Sequence, residues 1–328
     1  MSVSAPPPEL RFRRHVRLLV SLRELWRARE LVFSLAERDL RARYKQAVLG
    51  FSWAVVTPLL LMVAFSLVFP RVAKVDTGGV PYPLFSYIGL VPWAFFSTSV
   101  SQGGTNIINN AGLLNKVYCP REVFPIASVA VAAVDGLIAT LVLGVLFVVF
   151  SFVPQPESYW VPVLLAVQVT FTLGVTMALS AIMVYVRDIR HLLPIALQLG
   201  LFATPVAFSL DQLVPAGLQP LYVALNPMGG VIDGYRQTVL YGQQPDMQLL
   251  SIAAISATVM FLAAYALVIP HPATGKPAVG PSAGAMSWTI RAPVVVPWVM
   301  NGSVSQAASA CGSRISASKA WLHSTIAP

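Results

Sequence analysis

Six long runs of apolar residues alternate with polar segments along this chain. A helix that crosses the hydrocarbon core of a bilayer needs about 20 predominantly apolar residues, within a range of about 17 to 25. Counting the runs against this requirement predicts six membrane-spanning helices. They are 51–69, 84–100, 125–152, 159–186, 192–210 and 249–269. An even number of spans places both ends of the spanning region on the same side of the membrane.

A basic segment runs directly into the first span and predicts its orientation. This interface arm comprises Arg41, Arg43, Tyr44 and Lys45. Lys and Arg near the end of a span favour the cytoplasmic side of the membrane. We therefore expect the arm to stay inside, the first span to emerge outside at Phe69, and both termini to be cytoplasmic.

The charges of the later connections are independent of the choice of spans and agree with this orientation. The connections predicted inside carry Lys116, Arg121, Arg187 and Arg190. The connections predicted outside carry only Arg71, Lys74 and Arg236. This excess of basic residues on one side supports the six-span scheme.

Residues 15–47 are predicted to form an amphipathic helix before the first span. Its apolar face carries Leu18, Leu22, Leu25 and Trp26, and its other faces carry Arg23, Arg27 and Arg29. Trp and Arg suit the boundary between head groups and acyl chains, which favours a helix lying in the membrane interface. A soluble helix packed against a partner is the alternative. The Pro-rich leader 1–14 is predicted to be disordered.

Residues 211–248 do not fit the simple scheme of spans. Two apolar pieces, each too short to cross, are separated by Asn226, Pro227 and a pair of glycines. This pattern is typical of two short helices that dip into the outer leaflet and return, which is tolerated when protein or water satisfies the interrupted backbone. An ordinary surface loop is the alternative. We favour the re-entrant pair because Leu221 and Val231 would otherwise face water.

The composition agrees with a membrane protein. Of 328 residues, 56% are hydrophobic and 11% are charged, whereas soluble domains carry about 25% charged residues. The net charge of +9 is concentrated in the first 50 positions. This placement indicates topogenic charge and contact with anionic lipid, not a nucleic-acid-binding face. Cys119 and Cys311 lie far apart and predict no disulfide framework or metal site.

The sequence offers little for catalysis or nucleotide binding. It has no G-x-x-x-x-G-K-[ST] motif, because Gly275 and Lys276 are followed by Pro277 and lack the upstream glycine. The four histidines are isolated, no H-E-x-x-H occurs, and the 13 acidic residues lie mostly outside the spans. A catalytic carboxylate pair has no obvious candidate. Transport therefore ranks above catalysis.

Four sequence blocks resemble one family of transporters. They are LWRARELVFSLAERDLRARYKQAVLGFSWAVVTPLL, NNAGLLNKVYCPREVFP, YVRDIRHLLP and LNPMGGVIDGYRQTVLYG. In this order, over about 25–269, they are similar to the permease subunit of type-2 ABC exporters that move polysaccharides such as O-antigen, capsule and teichoic acid. The resemblance implies a homodimer of six-span permease domains, 48–269 in this chain. It also implies two cytoplasmic ATPase subunits, which hold the ATP and Mg, and a lipid-linked glycan as substrate.

The cytoplasmic loop between the second and third spans resembles the loop that faces the ATPase in that family. Its polar residues are Asn115, Lys116, Tyr118, Arg121 and Glu122. A purely topogenic loop is the alternative. A second candidate contact ends the fourth span and comprises Arg187, Asp188 and Arg190. These residues are equally well explained as an anchor for the end of a helix.

Aromatic residues in the second span are candidates for lining the translocation path. They are Tyr87, Trp93, Phe95 and Phe96. The apolar face of a sugar stacks on such rings, while an interfacial aromatic belt or core packing is the alternative. Asp135 in the third span is a further candidate, because an acidic residue near the bilayer centre costs about 2.5–3.5 kcal/mol on insertion scales and should face protein or water. A hydrogen bond to a neighbouring helix would explain it equally well.

The chain departs from the family pattern after residue 269. Residues 270–328 are rich in Pro, Gly, Ala and Ser and have no sustained helical period. We expect a disordered tail, which arose by loss of the natural reading frame or by an unrelated extension.

The function predicted is export of a lipid-linked polysaccharide across a bacterial plasma (inner) membrane by a multi-pass permease without a cofactor of its own. The expected partners are a cytoplasmic ATP-binding subunit, a second copy of the chain, the glycan and the membrane, with no nucleic acid. A permease for a drug or small lipid is the nearest alternative. An intramembrane enzyme of cell-envelope glycan assembly and a scaffold subunit without transport activity are alternatives from other classes.

Overall fold

The computed structural model describes residues 29–44, 52–72, 77–110, 122–186 and 188–268, and within these ranges it is all-helical. They belong to one compact unit, Ala28–Val268. Its α-helices are α1 (Arg29–Tyr44), α2 (Ser52–Val72), α3 (Tyr82–Asn109), α4 (Val123–Val149), α5 (Val161–Tyr185), α6 (Ile189–Ala203), α7 (Leu210–Leu213), α8 (Gln219–Leu225), α9 (Pro227–Val239) and α10 (Met247–Val268). Short 3-10 helices, Pro156–Trp160 and Ala216–Leu218, precede α5 and α8. The predicted all-α class is confirmed for this part of the chain.

Four segments of the described chain are long and apolar enough to cross a membrane. They are α3, α4, the stretch Pro156–Tyr185 that includes α5, and α10. Each overlaps one of the six predicted spans. The other two predicted spans correspond to α2 and α6, whose apolar segments, Val55–Pro70 and Ile189–Ala203, are shorter. The protein therefore has several apolar helices of the kind that cross membranes, and the count of six stays a prediction.

Helix α6 ends earlier than the hydrophobic pattern predicts. The predicted span continues to residue 210, but the helix stops at Ala203. Proline disfavours the helical conformation of the residue before it, and Thr204, which precedes Pro205, is extended with φ −103° and ψ 144°. The 15 residues of α6 rise about 22 Å, less than the hydrocarbon core of about 30 Å. The sequence pattern missed this break because apolar residues continue beyond Pro205.

Helix α3 is the centre of the bundle and contacts α2, α4, α5, α6 and α9. Its apolar segment is 72% buried, against 22% for α4, so α4 presents most of its surface outward. Glycines allow neighbours to approach α3 closely. A Cβ on Gly103 would lie 2.1 Å from Thr176 Cγ2 of α5. Such close approach through small residues is typical of helices that pack in membranes.

Helix α4 carries an apolar stripe on its outward surface. Leu137, Leu141 and Val145 recur every four residues, so they share one helical face, and they are 61% to 65% exposed. A continuous face of this kind is unfavourable in water but suits contact with hydrocarbon. The stripe therefore agrees with a membrane location for α4.

The predicted re-entrant segment contains two short helices, α8 and α9. They meet at Asn226 and Pro227, where the sequence pattern predicts the interruption. Helix α8 packs against α10, and α9 packs against α3, α5 and α10. Val231 and Ile232 of α9 are completely buried. The position of this pair relative to the membrane stays a prediction.

Candidate functional site

The four aromatic residues predicted to line a path are buried within α3. Tyr87 is 0% exposed and donates a hydrogen bond from its hydroxyl to the carbonyl of Ala139 on α4, at 3.2 Å. Trp93, Phe95 and Phe96 are also buried, and the ring of Phe96 stacks on Phe171 of α5 with centroids 5.6 Å apart. In the single chain these rings therefore pack between helices. Their role in a path stays a prediction.

Asp135, the other candidate for the path, forms an ion pair with Arg43 of the interface arm. Arg43 Nη1 donates to Asp135 Oδ2. The side chains are 28% and 17% exposed, respectively. The arm helix α1 therefore packs on α4 through a charged contact between two residues that the sequence assigned to different roles.

A series of polar contacts joins α1 to the ends of α3 and α4. Arg38 Nη2 donates to Asn110 Oδ1 at 2.9 Å. Asn110 caps the C-terminal end of α3, and its Nδ2 donates to the carbonyl of Asn106 at 3.0 Å. Asn106 Nδ2 in turn donates to Ser128 Oγ of α4 at 2.5 Å. This network joins three helices at the end of the bundle where the predicted ATPase-facing loop begins.

The remaining predicted contact residues are described only in part. Glu122 directly precedes α4, Asp188 directly precedes α6, and Arg190 lies in the first turn of α6. Arg41 pairs with Glu37 on the exposed side of α1. Tyr44 is the last residue of that helix. The residues outside the described ranges are Lys45, Asn115, Lys116, Tyr118, Arg121 and Arg187.

Within the described ranges, the most densely bonded polar site surrounds Arg236 of α9, and the sequence pattern did not predict it. This side chain is 1% exposed. Its Nη1 donates to the carbonyls of Pro205 at 2.7 Å and Phe208 at 2.8 Å, and its Nη2 donates to the carbonyl of Val206 at 2.6 Å. Its Nε donates to the carbonyl of Phe85 on α3 at 3.3 Å. We call residues 204–209 the α6 break and Arg236 with its acceptors the arginine site.

Two tyrosines donate to carbonyls at the end of α6 and within the α6 break, and Asn226 Nδ2 donates to Thr204 Oγ1 of the break at 2.9 Å. Tyr222 of α8 donates from its hydroxyl to the carbonyl of Ala203 at 2.6 Å. Tyr82 of α3 donates from its hydroxyl to the carbonyl of Ala207 at 2.8 Å. Together with the bonds from Arg236, these give each backbone carbonyl of residues 203 and 205–208 a hydrogen-bond donor. A buried backbone carbonyl needs such a partner, and here α3, α8 and α9 supply it.

The charge at the arginine site is balanced by backbone dipoles instead of a direct ion pair. Among the described residues, no carboxylate lies within ion-pair distance of Arg236. The Phe85 ring lies 3.8 Å from the guanidinium carbon, and such a ring attracts a cation through its negative face. Asp233, one turn earlier, hydrogen-bonds Gln237.

A stripe of polar residues on α5 faces α3. Gln168, Thr172, Thr176 and Ser180 recur every four residues and are at most 2% exposed. Gln168 Nε2 donates to the carbonyl of Pro92 on α3 at 3.1 Å. Its Oε1 accepts a hydrogen bond from the hydroxyl of Tyr235 on α9 at 3.0 Å. Polar contacts therefore link α9 to α5 and α3 inside the bundle.

The chain matches one protein-family model over most of its described length. Residues 30–240 match the family described as ABC-2 type transporter. This range begins in α1, ends just after α9 and includes the arginine site.

Several characterised proteins are similar to the chain. The O-antigen export system permease protein RfbA of Myxococcus xanthus is 34% identical over 243 residues, which cover 74% of this chain and 93% of that protein. RfbA of Klebsiella pneumoniae is 28% identical over 65% of this chain and 81% of its own length. The polysialic acid transport protein KpsM of Escherichia coli is 24% identical over 64% of this chain and 81% of its own length.

Proposed function

Because the chain belongs to the ABC-2 type transporter family, we propose that it is the permease subunit of an ATP-driven exporter of lipid-linked polysaccharide. The observation that carries this proposal is the similarity to O-antigen export permeases, which extends over 93% of the Myxococcus xanthus relative. A second group of relatives is named for transport of polysialic acid, another polysaccharide. The substrate class is therefore a long glycan, and the membrane is the bacterial plasma membrane.

The proposed architecture has six spans, with α2 as the first and α6 as the fifth. Residues 1–14 form a leader, 15–47 an arm helix, 48–269 the permease domain and 270–328 a tail, with both termini in the cytoplasm. Helices α8 and α9 form a re-entrant pair at the outer side. The buried face of α9 and the satisfied backbone of the α6 break support this placement, because interrupted backbone at membrane depth needs internal partners.

The proposed energy source is a separate cytoplasmic ATPase that binds ATP and Mg. ABC-2 permeases generally work with such a subunit, and this sequence carries no G-x-x-x-x-G-K-[ST] motif. The loop 111–121, with Glu122 after it, is the proposed main contact, and 187–190 is the second. The polar network from Arg38 to Asn110 supports a mechanical role for this end of the bundle, because it ties the arm to the start of that loop.

The proposed assembly is a homodimer with the glycan path near α3. The rings of Tyr87, Trp93, Phe95 and Phe96 are suited to stacking on sugars without selecting one sequence of sugars. Because these rings are buried in the single chain, lining a path requires that neighbouring helices separate from α3 during export.

Deletion of the gene in its host tests this function against the alternatives. We expect lipid-linked glycan to accumulate in the inner membrane while surface glycan disappears, and a plasmid copy to restore the surface glycan. A matched strain with an inactive partner ATPase should have the same phenotype. Loss of the glycan itself, inside and outside, would favour an enzyme of glycan assembly. Unchanged surface glycan with increased sensitivity to a drug would favour a permease for small molecules.

A further inference from the structure

The backbone carbonyls of the α6 break need hydrogen-bond donors from elsewhere in the bundle. The non-helical residues that follow α6 have carbonyls without helical partners. Water satisfies such groups at a protein surface, but Pro205, Val206 and Ala207 are buried. The donors must therefore come from other helices. Arg236 supplies three of them to the break, although it lies 28 to 31 positions later in the chain.

An arginine meets this demand better than any other side chain. Its guanidinium is planar, stays charged, and carries five N–H donors in a fixed fork. Four of the bonds of Arg236 reach carbonyls on two separate elements, the α6 break and α3. The negative end of the dipole of α6 also favours a cation at this position. A lysine carries equal charge but donates from a single nitrogen, so it cannot reach the same spread of acceptors.

Two residues of α3 accommodate the side chain of Arg236. Gly89 lies beside the guanidinium, and a Cβ at this position would come within 2.8 Å of Arg236 Nη2 and 3.0 Å of the carbonyl oxygen of Val206. The Phe85 ring, one turn earlier on α3, packs on the guanidinium carbon at 3.8 Å. One face of α3 therefore provides the space beside Gly89, the ring of Phe85 and the carbonyl of Phe85 that accepts from Arg236.

We propose that Arg236 is a positioning residue for export, which clamps α9 to the α6 break and to α3 so that the break and the re-entrant pair move as one body. This proposal rests on the proposed function as an exporter. Without the clamp, α6 and α9 would be held only by single side-chain bonds. Asn226 Nδ2 donates to Thr204 Oγ1 at 2.9 Å, Tyr82 donates to the carbonyl of Ala207, and Tyr222 donates to the carbonyl of Ala203 at the end of α6. The outer end of the fifth predicted span would then no longer be held at a fixed position relative to α9.

The test measures solvent access to the break and export in the same cells. Cys119 and Cys311 are replaced by alanine, and a single cysteine is introduced as Val206→Cys, at a side chain that is 0% exposed. A membrane-impermeant maleimide applied outside reports whether the break separates from α9. The parent is compared with Arg236→Met, Arg236→Lys and the control Thr258→Ala on α10, whose exposed side chain bonds only within its own helix. The whole exporter is expressed with its partner ATPase.

In the parent and the Thr258→Ala control, the cysteine should stay protected. In Arg236→Met we expect labelling at least tenfold faster and export at least tenfold lower at equal membrane abundance. Arg236→Lys should restore part of both properties. Unchanged labelling in Arg236→Met would overturn the clamp, and faster labelling with normal export would overturn its role in export. Because labelling does not depend on a glycan, failure of the proposed function would appear separately, as absence of export in the parent.

A second variant covers the case in which Arg236→Met does not accumulate in the membrane. Gly89→Ala keeps Arg236 but places a methyl group against its Nη2 and against Val206. We expect faster labelling of the cysteine at 206 and reduced export, in the same direction as Arg236→Lys. Normal protection together with normal export in this variant would contradict the proposal.

Discussion

Arg43 of the arm donates to the carboxylate of Asp135 on α4, so a residue that precedes the first predicted span is tied to the third. A lone carboxylate in a span is costly, and an adjacent guanidinium offsets that cost. The pair also holds α1 against the bundle. The arm therefore packs on protein along α4, in addition to any contact that it makes with the membrane.

Removal of one member of this pair should destabilise the protein more than removal of both. Loss of one partner removes this ion pair from the other charge, which costs about 3–5 kcal/mol when a pair is fully buried and less at the partial exposure found here. We expect Arg43→Gln and Asp135→Asn each to lower the melting temperature in detergent. The double variant should melt at a higher temperature than either single variant.

The control for this cycle is the exposed pair on the same helix. Arg41 and Glu37 have side chains that are 73% and 62% exposed, so Arg41→Gln should change stability by about 0.5 kcal/mol or less. Additive effects of Arg43→Gln and Asp135→Asn would mean that the ion pair contributes nothing to stability.

A methyl group on Gly103 should disrupt the contact between α3 and α5. It would overlap Thr176 Cγ2, which lies 2.1 Å from the position of the added Cβ. Overpacking of this kind costs about 1–3 kcal/mol, so we expect Gly103→Ala to reduce membrane abundance and thermal stability. Thr176→Ser removes the opposing methyl group and should rescue the variant. Gly144→Ala is the control, because nothing lies within 4 Å of a Cβ there.

The orientation of the chain is testable with thiol reagents on intact cells. A membrane-impermeant reagent should label Thr77→Cys, which lies before α3 on the predicted outer side. It should not label native Cys119 until the membrane is permeabilised. Labelling of Cys119 from outside would reverse the proposed topology.

The predicted ATPase-facing loop should be sensitive to charge reversal. Replacement of both Lys116 and Arg121 by Glu inverts two charges that are proposed to meet the ATPase, so export should fall at least severalfold while the permease remains in the membrane. Co-purification of the ATPase measures the cause directly. Normal export with the double reversal would exclude this loop from coupling.

The tail beyond the last span should be dispensable. Ordering a residue costs about 1–2 kcal/mol of backbone entropy. Residues 270–328 lack the apolar periodicity that would let burial of side chains offset this cost. A chain that ends at Ile269 should insert, dimerise and export like the full chain. If truncation abolished export at equal membrane abundance, the tail would have a working role.

The sequence predicted the helices well because crossing a membrane is a property of local length and hydrophobicity. The run that contains α10 was located within a few residues, and the interruption at Asn226 and Pro227 was placed correctly. The end of α6 was not predicted, because the apolar residues after Pro205 mask the break.

Contacts between distant residues were beyond the reach of any local pattern. Arg43 and Asp135 are 92 positions apart, and Arg236 and Phe85 are 151 apart. Arg236 was counted only as a charge in an outer connection. Its position three residues after Asp233, in a short helix that also carries Val231 and Ile232, was the one available signal that it is buried.

The acceptors of the arginine site are synthesised before the arginine that donates to them. Pro205 leaves the ribosome 31 residues before Arg236, and at about 5–20 residues per second this gap lasts about 1.5 to 6 seconds. During that interval the carbonyls of the α6 break have no arginine to accept from. The α6 break therefore reaches its final hydrogen bonding only after α9 has been synthesised.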